Sequence, residues 1–263
     1  MKTNHFLIDR YLLVREMKKG MAIVLCLLLF SACRPGTLSH RGQKADVSEI
    51  LSDSAHVTLR YAKNFTVRYL SDGTRLVDIS VAGHKSRSTY RLALIPRGVS
   101  ASGIPKEYNH RVEVPVERCI PMGTEQLAAF IQLHALDQVS AITSVRHLQD
   151  KDVKHRIAKG EIAKIGYEGN FDTETVMALQ PDAILVSPFK KGGYEALQQV
   201  GSPLIPYTAF KEPTPLGQAE WVKLVGMLTG REKQANAFFQ QIEQHYHAYQ
   251  AVAAKATHRP TIF

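Results

Sequence analysis

The chain has 263 residues, of which 44% are hydrophobic and 22% charged, a globular composition that excludes a disordered, collagen-like or coiled-coil protein. Three cysteines are too few for a disulfide framework, and no CxxC or clustered Cys/His spacing indicates a structural zinc site. A net charge of +9 would suit nucleic-acid binding, but five Lys/Arg and only two Asp/Glu fall within residues 1–19. Because part of the excess belongs to this amino-terminal stretch, the charge does not indicate a nucleic-acid partner.

The first segment in chain order has the pattern of an export signal. Residues 21–30 (MAIVLCLLLF) are an unbroken apolar run preceded by Lys18 and Lys19, about half the roughly 20 residues that a membrane-spanning helix needs. A basic region, a short apolar region and small residues before a cleavage site are typical of a secretory signal peptide. The sequence FSAC at 30–33 resembles a lipobox, in which cleavage precedes a cysteine that then carries lipid. We predict a signal peptide over 1–32 and lipidation of Cys33, with an ordinary signal peptide and an incidental cysteine as the alternative.

Two segments follow before the main domain. Residues 33–52 are polar and rich in Gly, Ser, Thr and Gln, which predicts a flexible leash. With lipid on Cys33, this leash would hold the protein at the periplasmic or cell-surface side of a bacterial envelope membrane. Residues 53–111 contain short alternating apolar runs, two of which flank Ser71-Asp72-Gly73-Thr74. An Asp-Gly pair in this setting predicts a β-hairpin, and we expect a β-hairpin leader over 53–111.

After Val112 the pattern changes to apolar strands alternating with amphipathic helices. The predicted strands are Val116–Pro121, Ala141–Val145, Ala163–Gly166, Ala183–Ser187 and Pro203–Tyr207. The predicted helices are Thr124–Leu136, Lys151–Lys159, Asp172–Leu179 and Tyr194–Val200. Such alternation is typical of parallel βαβ units, so we predict an α/β lobe with a parallel sheet over residues 112–214.

A long helical segment is predicted over residues 215–256. Thr214 and Pro215 suit the N-cap and first position of a helix, and Thr229-Gly230 interrupts the segment. The part that begins at Arg231 has roughly 24 residues and would be about 36 Å long, the width of a small domain. We expect its far end to fray or to expose Phe238, Phe239 and Tyr249. Thr261-Ile262-Phe263 is an apolar β-like run, and we expect a strand within residues 257–263.

Two motifs carry a family resemblance. One is NxxxExxxALxPDAIL at residues 170–185, and the other is PLGxAEW at residues 215–221. With them, Asp53–Phe263 resembles the class III substrate-binding proteins of ABC importers, which bind ferric siderophores, haem or cobalamin between two lobes joined by a rigid helix. The resemblance implies that 112–214 is the amino-terminal lobe, 215–256 the interlobe helix, and 257–263 the first strand of a truncated second lobe.

The resemblance also implies a function. The chain would be a lipid-anchored, extracytoplasmic binding component that delivers an iron chelate, haem or cobalamin to an ABC permease and its ATPase, with no cofactor of its own. The alternatives are a non-transport surface lipoprotein that captures a metal chelate or a partner, and an inactive fragment of the binding protein. No nucleophile elbow, P-loop or HExxH motif indicates an enzyme. The lipobox also disfavours a two-lobed enzyme of nitrogenase-like ancestry, because such redox cofactors are assembled in the cytoplasm.

Ligands of open parallel sheets collect at the carboxyl ends of the strands. The candidate ligand-binding residues are therefore those that follow the predicted strands, namely Met122, Thr124, Arg146, His147, Tyr167, Glu168, Ser187, Phe189 and Phe210. The aromatic residues could stack on a planar chelate and Arg146 could bind carboxylates. The alternative for each is that it packs on its own lobe or is solvated.

Glutamate, histidine and cysteine residues offer further candidate roles. Glu174 lies in a motif position where, in the resembled family, an acidic residue pairs with permease arginines; the alternative is that it complements the helix dipole. His134 shares a stripe with apolar residues and is predicted to be a core or boundary residue. A bare metal ion is disfavoured as ligand because the lobe offers only His147 and Glu168 at the ligand edge. Cys119, inside a strand, is predicted to be a buried thiol.

Overall fold

The computed structural model describes residues 56–82, 87–143, 148–167, 170–188 and 194–256. These residues belong to one compact unit that spans Asp53–Phe263. The predicted signal peptide and leash, together with the run 257–263, lie outside the described residues and stay predictions. Within the described ranges, every helix is too short or too polar to cross a bilayer.

The leader is a four-stranded sheet that contains the predicted hairpin. Its strands are β1 (Phe65–Tyr69), β2 (Arg75–Ala82), β3 (Arg87–Pro96) and β4 (His110–Val114). The β1–β2 and β2–β3 pairs are antiparallel, whereas β3 and β4 are parallel. Gly73 takes the left-handed conformation that the β1–β2 turn requires, with φ 83°. Strand β4 runs across the predicted boundary between leader and lobe at 111/112.

The lobe carries the parallel strands that the sequence predicted. They are β5 (Cys119–Pro121), β6 (Ala141–Ile142), β7 (Ala163–Lys164), β10 (Ala183–Val186) and β11 (Leu204–Pro206). One sheet has the order β11-β10-β5, and β6 pairs with β7; all three pairings are parallel. Between β7 and β10 the chain forms a short antiparallel hairpin that was not predicted, made of β8 (Gly166–Tyr167) and β9 (Asn170–Phe171).

Seven α-helices are described. They are α1 (Thr124–Gln132), α2 (Lys151–Ala158), α3 (Thr173–Leu179), α4 (Tyr194–Leu197), α5 (Pro215–Glu220), α6 (Val222–Thr229) and α7 (Glu232–Ala254). The predicted N-cap at Thr214 is confirmed, since its Oγ1 accepts a hydrogen bond from Gly217 N at 3.0 Å. The predicted interruption at Thr229-Gly230 is confirmed as well, because α6 ends at Thr229 and Gly230 is left-handed. The long helix is also confirmed, with 23 residues in α7.

The prediction for His134 was wrong. Helix α1 ends at Gln132, four residues earlier than expected, because His134 takes a left-handed conformation with φ 53°. The backbone N–H of Ala135 then donates to the carbonyl of Phe130 at 2.8 Å, which closes the helix end. His134 leaves the helical stripe as a result and is exposed.

One hydrophobic core joins the leader, the lobe and the long helices. It includes Val77 of β2, Cys119 of β5, Trp221 between α5 and α6, and Phe239 of α7. Cys119 is buried, as predicted. Burial raises the pKa of its thiol. The expectation that α7 exposes Phe239 was wrong, because the segment before β1 covers this ring: the Phe239 and Tyr61 centroids are 5.9 Å apart.

The carboxyl-terminal half of α7 is more exposed to solvent than its first half. Phe238 is partly buried against the core, so its predicted exposure was wrong in part. Tyr249 is 74% exposed, as expected. Every residue from 244 to 254 is exposed, so α7 is held to the unit by its first half.

Buried carboxylates fix the segment that precedes β1. Glu212 accepts hydrogen bonds from the backbone N–H groups of Lys63 and Asn64, each at 2.8 Å. Glu220 does the same for residues 60–62. Glu243 of α7 accepts from the Tyr61 hydroxyl at 2.6 Å. The backbone N–H groups of residues 60–64 therefore donate to the carboxylates of Glu212 and Glu220 rather than to a neighbouring strand.

We expect acid to destabilise the protein through two of these carboxylates. Burial alone raises the pKa of Glu220, but hydrogen bonds from Lys223 and three backbone N–H groups outweigh it and hold the pKa below the usual 4.5. The Tyr61 hydroxyl, then Arg60, likewise lower the pKa of Glu243. Because these folded-state values are depressed, the stabilisation is complete above the unfolded-state pKa and is lost as the pH falls through the folded-state values.

Thermal unfolding midpoints recorded from about pH 7 down to about pH 3 check this expectation. The midpoint should hold until about pH 5 and then fall. The variant Glu243→Gln should show a shallower acid decline than the unaltered protein. A decline of equal depth in the two proteins would contradict the role given to Glu243.

Candidate functional site

The carboxyl ends of three parallel strands form the candidate ligand edge. Strands β5, β10 and β11 run in the same direction, so the residues that follow them lie along one edge of the sheet. These residues are Met122 after β5, Ser187 after β10 and Tyr207 after β11. We call this set of strand ends, with the turn Met122–Thr124, the strand-end edge.

The turn after β5 is fixed by its neighbours. The backbone N–H of Met122 donates to the carbonyl of Leu185 at 3.1 Å, which extends the β5–β10 ladder by one bond. From the end of β6, Thr143 Oγ1 donates to the Met122 carbonyl at 3.1 Å. The N–H of Gly123 donates to Gln126 Oε1 at 2.9 Å, as in a capping box. The backbone of this turn is therefore preorganised.

The end of β11 is more apolar than the turn after β5. Tyr207 is buried, with its ring 5.0 Å from that of Trp221. Burial, and next the nearby Glu125 carboxylate, raise the pKa of the Tyr207 hydroxyl, which stays neutral. Thr208 is also buried, and its hydroxyl has no hydrogen-bond partner within the described residues.

Five of the predicted ligand-binding residues can be placed. Met122 is buried in a small core beneath the edge, so it contributes backbone rather than side chain. Thr124 is exposed in the first turn of α1, and Ser187 is half-buried. Tyr167 is 60% exposed in the β8–β9 hairpin, and Phe210 is 42% exposed just past β11. The other four lie outside the described residues: Arg146, His147, Glu168 and Phe189.

Two polar residues of the edge were missed from the sequence. Gln126 and Thr143 make the hydrogen bonds that hold the turn after β5. Gln126 could have been found, because a glutamine at the third position of a helix is a capping-box signal. Thr143 lay inside a predicted strand, which in fact ends at Ile142. Its role depends on the pairing of strands and has no local signal.

Glu174 lies at the start of a well-capped helix. The Asp172 carboxylate accepts hydrogen bonds from the backbone N–H and the hydroxyl of Thr175, at 2.9 and 2.7 Å. These bonds lower the pKa of Asp172. Glu174 itself is exposed, so its carboxylate is accessible to a partner.

Metal-ligating side chains do not converge in the described part of the chain. No group of three or more His, Cys, Asp or Glu residues is arranged there to hold a metal ion. The two possible metal ligands of the ligand edge, His147 and Glu168, lie outside the described residues.

Comparison with known proteins identifies the family. The periplasmic binding protein family matches residues 122–263, which is more than half of the chain and begins at the strand-end edge. The chain belongs to the periplasmic binding protein family. The two sequence motifs predicted this family, and the parallel α/β lobe agrees with the predicted fold class.

Individual relatives are distant. The chain is 23% identical over 261 residues to uncharacterized lipoprotein MJ0878 of Methanocaldococcus jannaschii, across 86% of this chain and 61% of the relative. An ABC-type Fe3+-hydroxamate transport system structure from Saccharomonospora viridis is 22% identical, with a TM-score of 0.40, over 51% of this chain and 50% of that chain. The periplasmic haem-binding protein HutB of Vibrio cholerae is 20% identical, with a TM-score of 0.44, over 55% and 52%. The chain thus spans about half the length of these structures and about three fifths of the curated relative.

Proposed function

We propose that this chain is the extracytoplasmic substrate-binding component of an ABC importer for an iron chelate, either a siderophore or haem, or for cobalamin. Family membership carries the proposal, because the match includes the whole strand-end edge from Met122 onward. The partners would be an ABC permease and its ATPase, which supply transport and catalysis. The chain itself would bind the ligand and deliver it to the permease.

Exposed aromatic residues support the proposed ligand class. Large aromatic side chains are usually buried, yet Tyr167 and Phe210 are 60% and 42% exposed near the ends of parallel strands. Aromatic faces stack well on planar chelates and macrocycles. Fixed backbone groups of the turn after β5 would then orient the polar parts of the ligand.

We also propose that lipid on Cys33 anchors the protein to the envelope membrane. The FSAC sequence supports this, and the relative from Methanocaldococcus jannaschii is named a lipoprotein. One lipidated cysteine and a leash of about 20 residues would leave the lobe free to reach a permease in the same membrane.

The importer proposal predicts that Glu174→Lys reduces uptake without changing affinity. An exposed carboxylate at the start of α3 would pair with a cationic group of the permease, and reversal of its charge replaces attraction by repulsion. We expect uptake of radiolabelled ferric chelate by cells to fall at least tenfold. The dissociation constant of the purified protein should change less than about twofold, since the substitution lies outside the ligand edge.

The matched control is Glu107→Lys, an equal charge reversal at an exposed residue of the leader. It should leave uptake at the level of the unaltered protein. Equal uptake by cells carrying Glu174→Lys would contradict docking through this residue. Undiminished uptake after deletion of the whole chain would instead favour a surface lipoprotein that captures a chelate or partner without a permease.

A further inference from the structure

Gln126 connects two segments of the strand-end edge. It is the third residue of α1 and is only 1% exposed. Its Oε1 lies 2.9 Å from Gly123 N, and its Nε2 lies 3.3 Å from Ser187 Oγ. Gly123 belongs to the turn after β5 and Ser187 follows β10. A single buried amide therefore links the ends of two neighbouring parallel strands.

The direction of each hydrogen bond follows from its partners. The backbone N–H of Gly123 can only donate, so the amide oxygen of Gln126 must face it and the NH2 group must face Ser187. An amide NH2 group donates and does not accept, so Ser187 Oγ is the acceptor. A serine hydroxyl has one hydrogen and two lone pairs. This bond uses a lone pair and leaves the hydroxyl hydrogen of Ser187 able to donate elsewhere.

We propose that Gln126 is a positioning residue that makes Ser187 a hydrogen-bond donor toward the bound ligand, so that the ligand places an acceptor oxygen there. Ser187 is half-buried, so its hydroxyl can contact both Gln126 and a ligand at the edge. Carboxylate, hydroxamate and amide oxygens all satisfy this requirement. The inference rests on the proposed function and specifies the ligand chemistry of the same edge.

The backbone of the edge has other supports. Met122 N donates to the Leu185 carbonyl, and Thr143 Oγ1 donates to the Met122 carbonyl, each at 3.1 Å. These bonds do not involve Gln126. A substitution at Gln126 can thus change the donor and acceptor pattern while the turn after β5 keeps its place.

The variant Gln126→Glu tests the inference at nearly constant volume. One carboxylate oxygen still accepts from Gly123, but the other now accepts the Ser187 hydrogen and removes the donor from the ligand. Calorimetric titration of the purified variant with haemin and with a ferric trihydroxamate should show about tenfold weaker binding than by the unaltered protein. Ser187→Ala should weaken binding about tenfold in the unaltered protein but less than about twofold in the Gln126→Glu background. Gln132→Glu, which adds the same charge at an exposed site of α1, should leave binding unchanged.

Ser187→Ala effects of equal size in the two backgrounds would overturn the inference, as would unchanged binding by Gln126→Glu. If Gln126→Glu does not fold, Gln126→Met takes its place, because it removes both hydrogen bonds without adding charge. Ser187→Ala should then cost less in the Gln126→Met background than in the unaltered protein, and an equal cost would overturn the inference. Failure of the unaltered protein to bind any chelate would overturn the proposed function together with this inference. Tight chelate binding by the unaltered protein, with equal Ser187→Ala effects in the two backgrounds, would overturn the inference alone.

Discussion

Glu220→Ala is expected to lower the free energy of unfolding by about 3–5 kcal/mol. Glu220 is completely buried, and its carboxylate accepts hydrogen bonds from the backbone N–H groups of Arg60, Tyr61 and Ala62 at 3.0, 2.7 and 2.8 Å. It also lies 2.8 Å from the ammonium group of Lys223, which is buried too. Removal of the carboxylate leaves three N–H groups without an acceptor and a buried cation without its counter-charge, which is why the cost is large.

Urea denaturation followed by circular dichroism measures this loss. The control is Glu161→Ala, which breaks a solvent-exposed ion pair with Arg156 at 3.2 Å and should cost less than about 1 kcal/mol. Equal losses for the two variants would show that the buried carboxylate does not hold the segment before β1.

Trp221→Ala is expected to cost about 3–5 kcal/mol through the cavity it leaves. The Trp221 ring is completely buried, with the rings of Phe65 and Tyr207 at centroid distances of 4.7 and 5.0 Å. Its indole N–H also donates to Glu212 Oε1 at 2.9 Å. Trp221 therefore packs against both the leader, through Phe65, and the end of β11, through Tyr207.

The same denaturation experiment with two comparison variants checks the cause of this loss. Trp221→Phe keeps much of the volume and should cost clearly less than Trp221→Ala. Tyr249→Ala removes an aromatic ring that is 74% exposed and should stay within about 0.5 kcal/mol of the unaltered protein. A loss below about 1 kcal/mol for Trp221→Ala would contradict the central position of this ring in the core.

Features with a local signal were predictable from the sequence. The caps at Asp172 and Thr214, the turn at Gly73 and the length of α7 all depend on residues that are close in the chain. The alternation of strands and helices fixed the parallel pairing of the lobe, and so the position of the strand-end edge. The PLGxAEW motif was found as a pattern, although the pattern did not reveal that its Glu220 holds the segment before β1.

Features that depend on distant contacts were not predictable. Glu220 accepts hydrogen bonds from backbone groups about 160 residues earlier in the chain. Neither Glu220 nor residues 60–62 lie in a sequence pattern that indicates this contact. The burial of Phe239 depends on the same segment. At the candidate site, topology identified the strand ends, whereas the donor and acceptor pattern of Gln126 and Ser187 required the positions of two separate loops. Chain order indicates which loops meet, but their side-chain contacts are set by packing.

The most direct test of the proposed function is calorimetric titration of the purified protein with haemin, cyanocobalamin and a ferric trihydroxamate, with zinc and manganese ions titrated in parallel. We expect one chelate or corrinoid to bind with a 1:1 stoichiometry and a Kd of about 1 μM or tighter, and the free ions not to bind specifically. Saturable binding of a free divalent ion, with no binding of any chelate or corrinoid, would contradict the proposal.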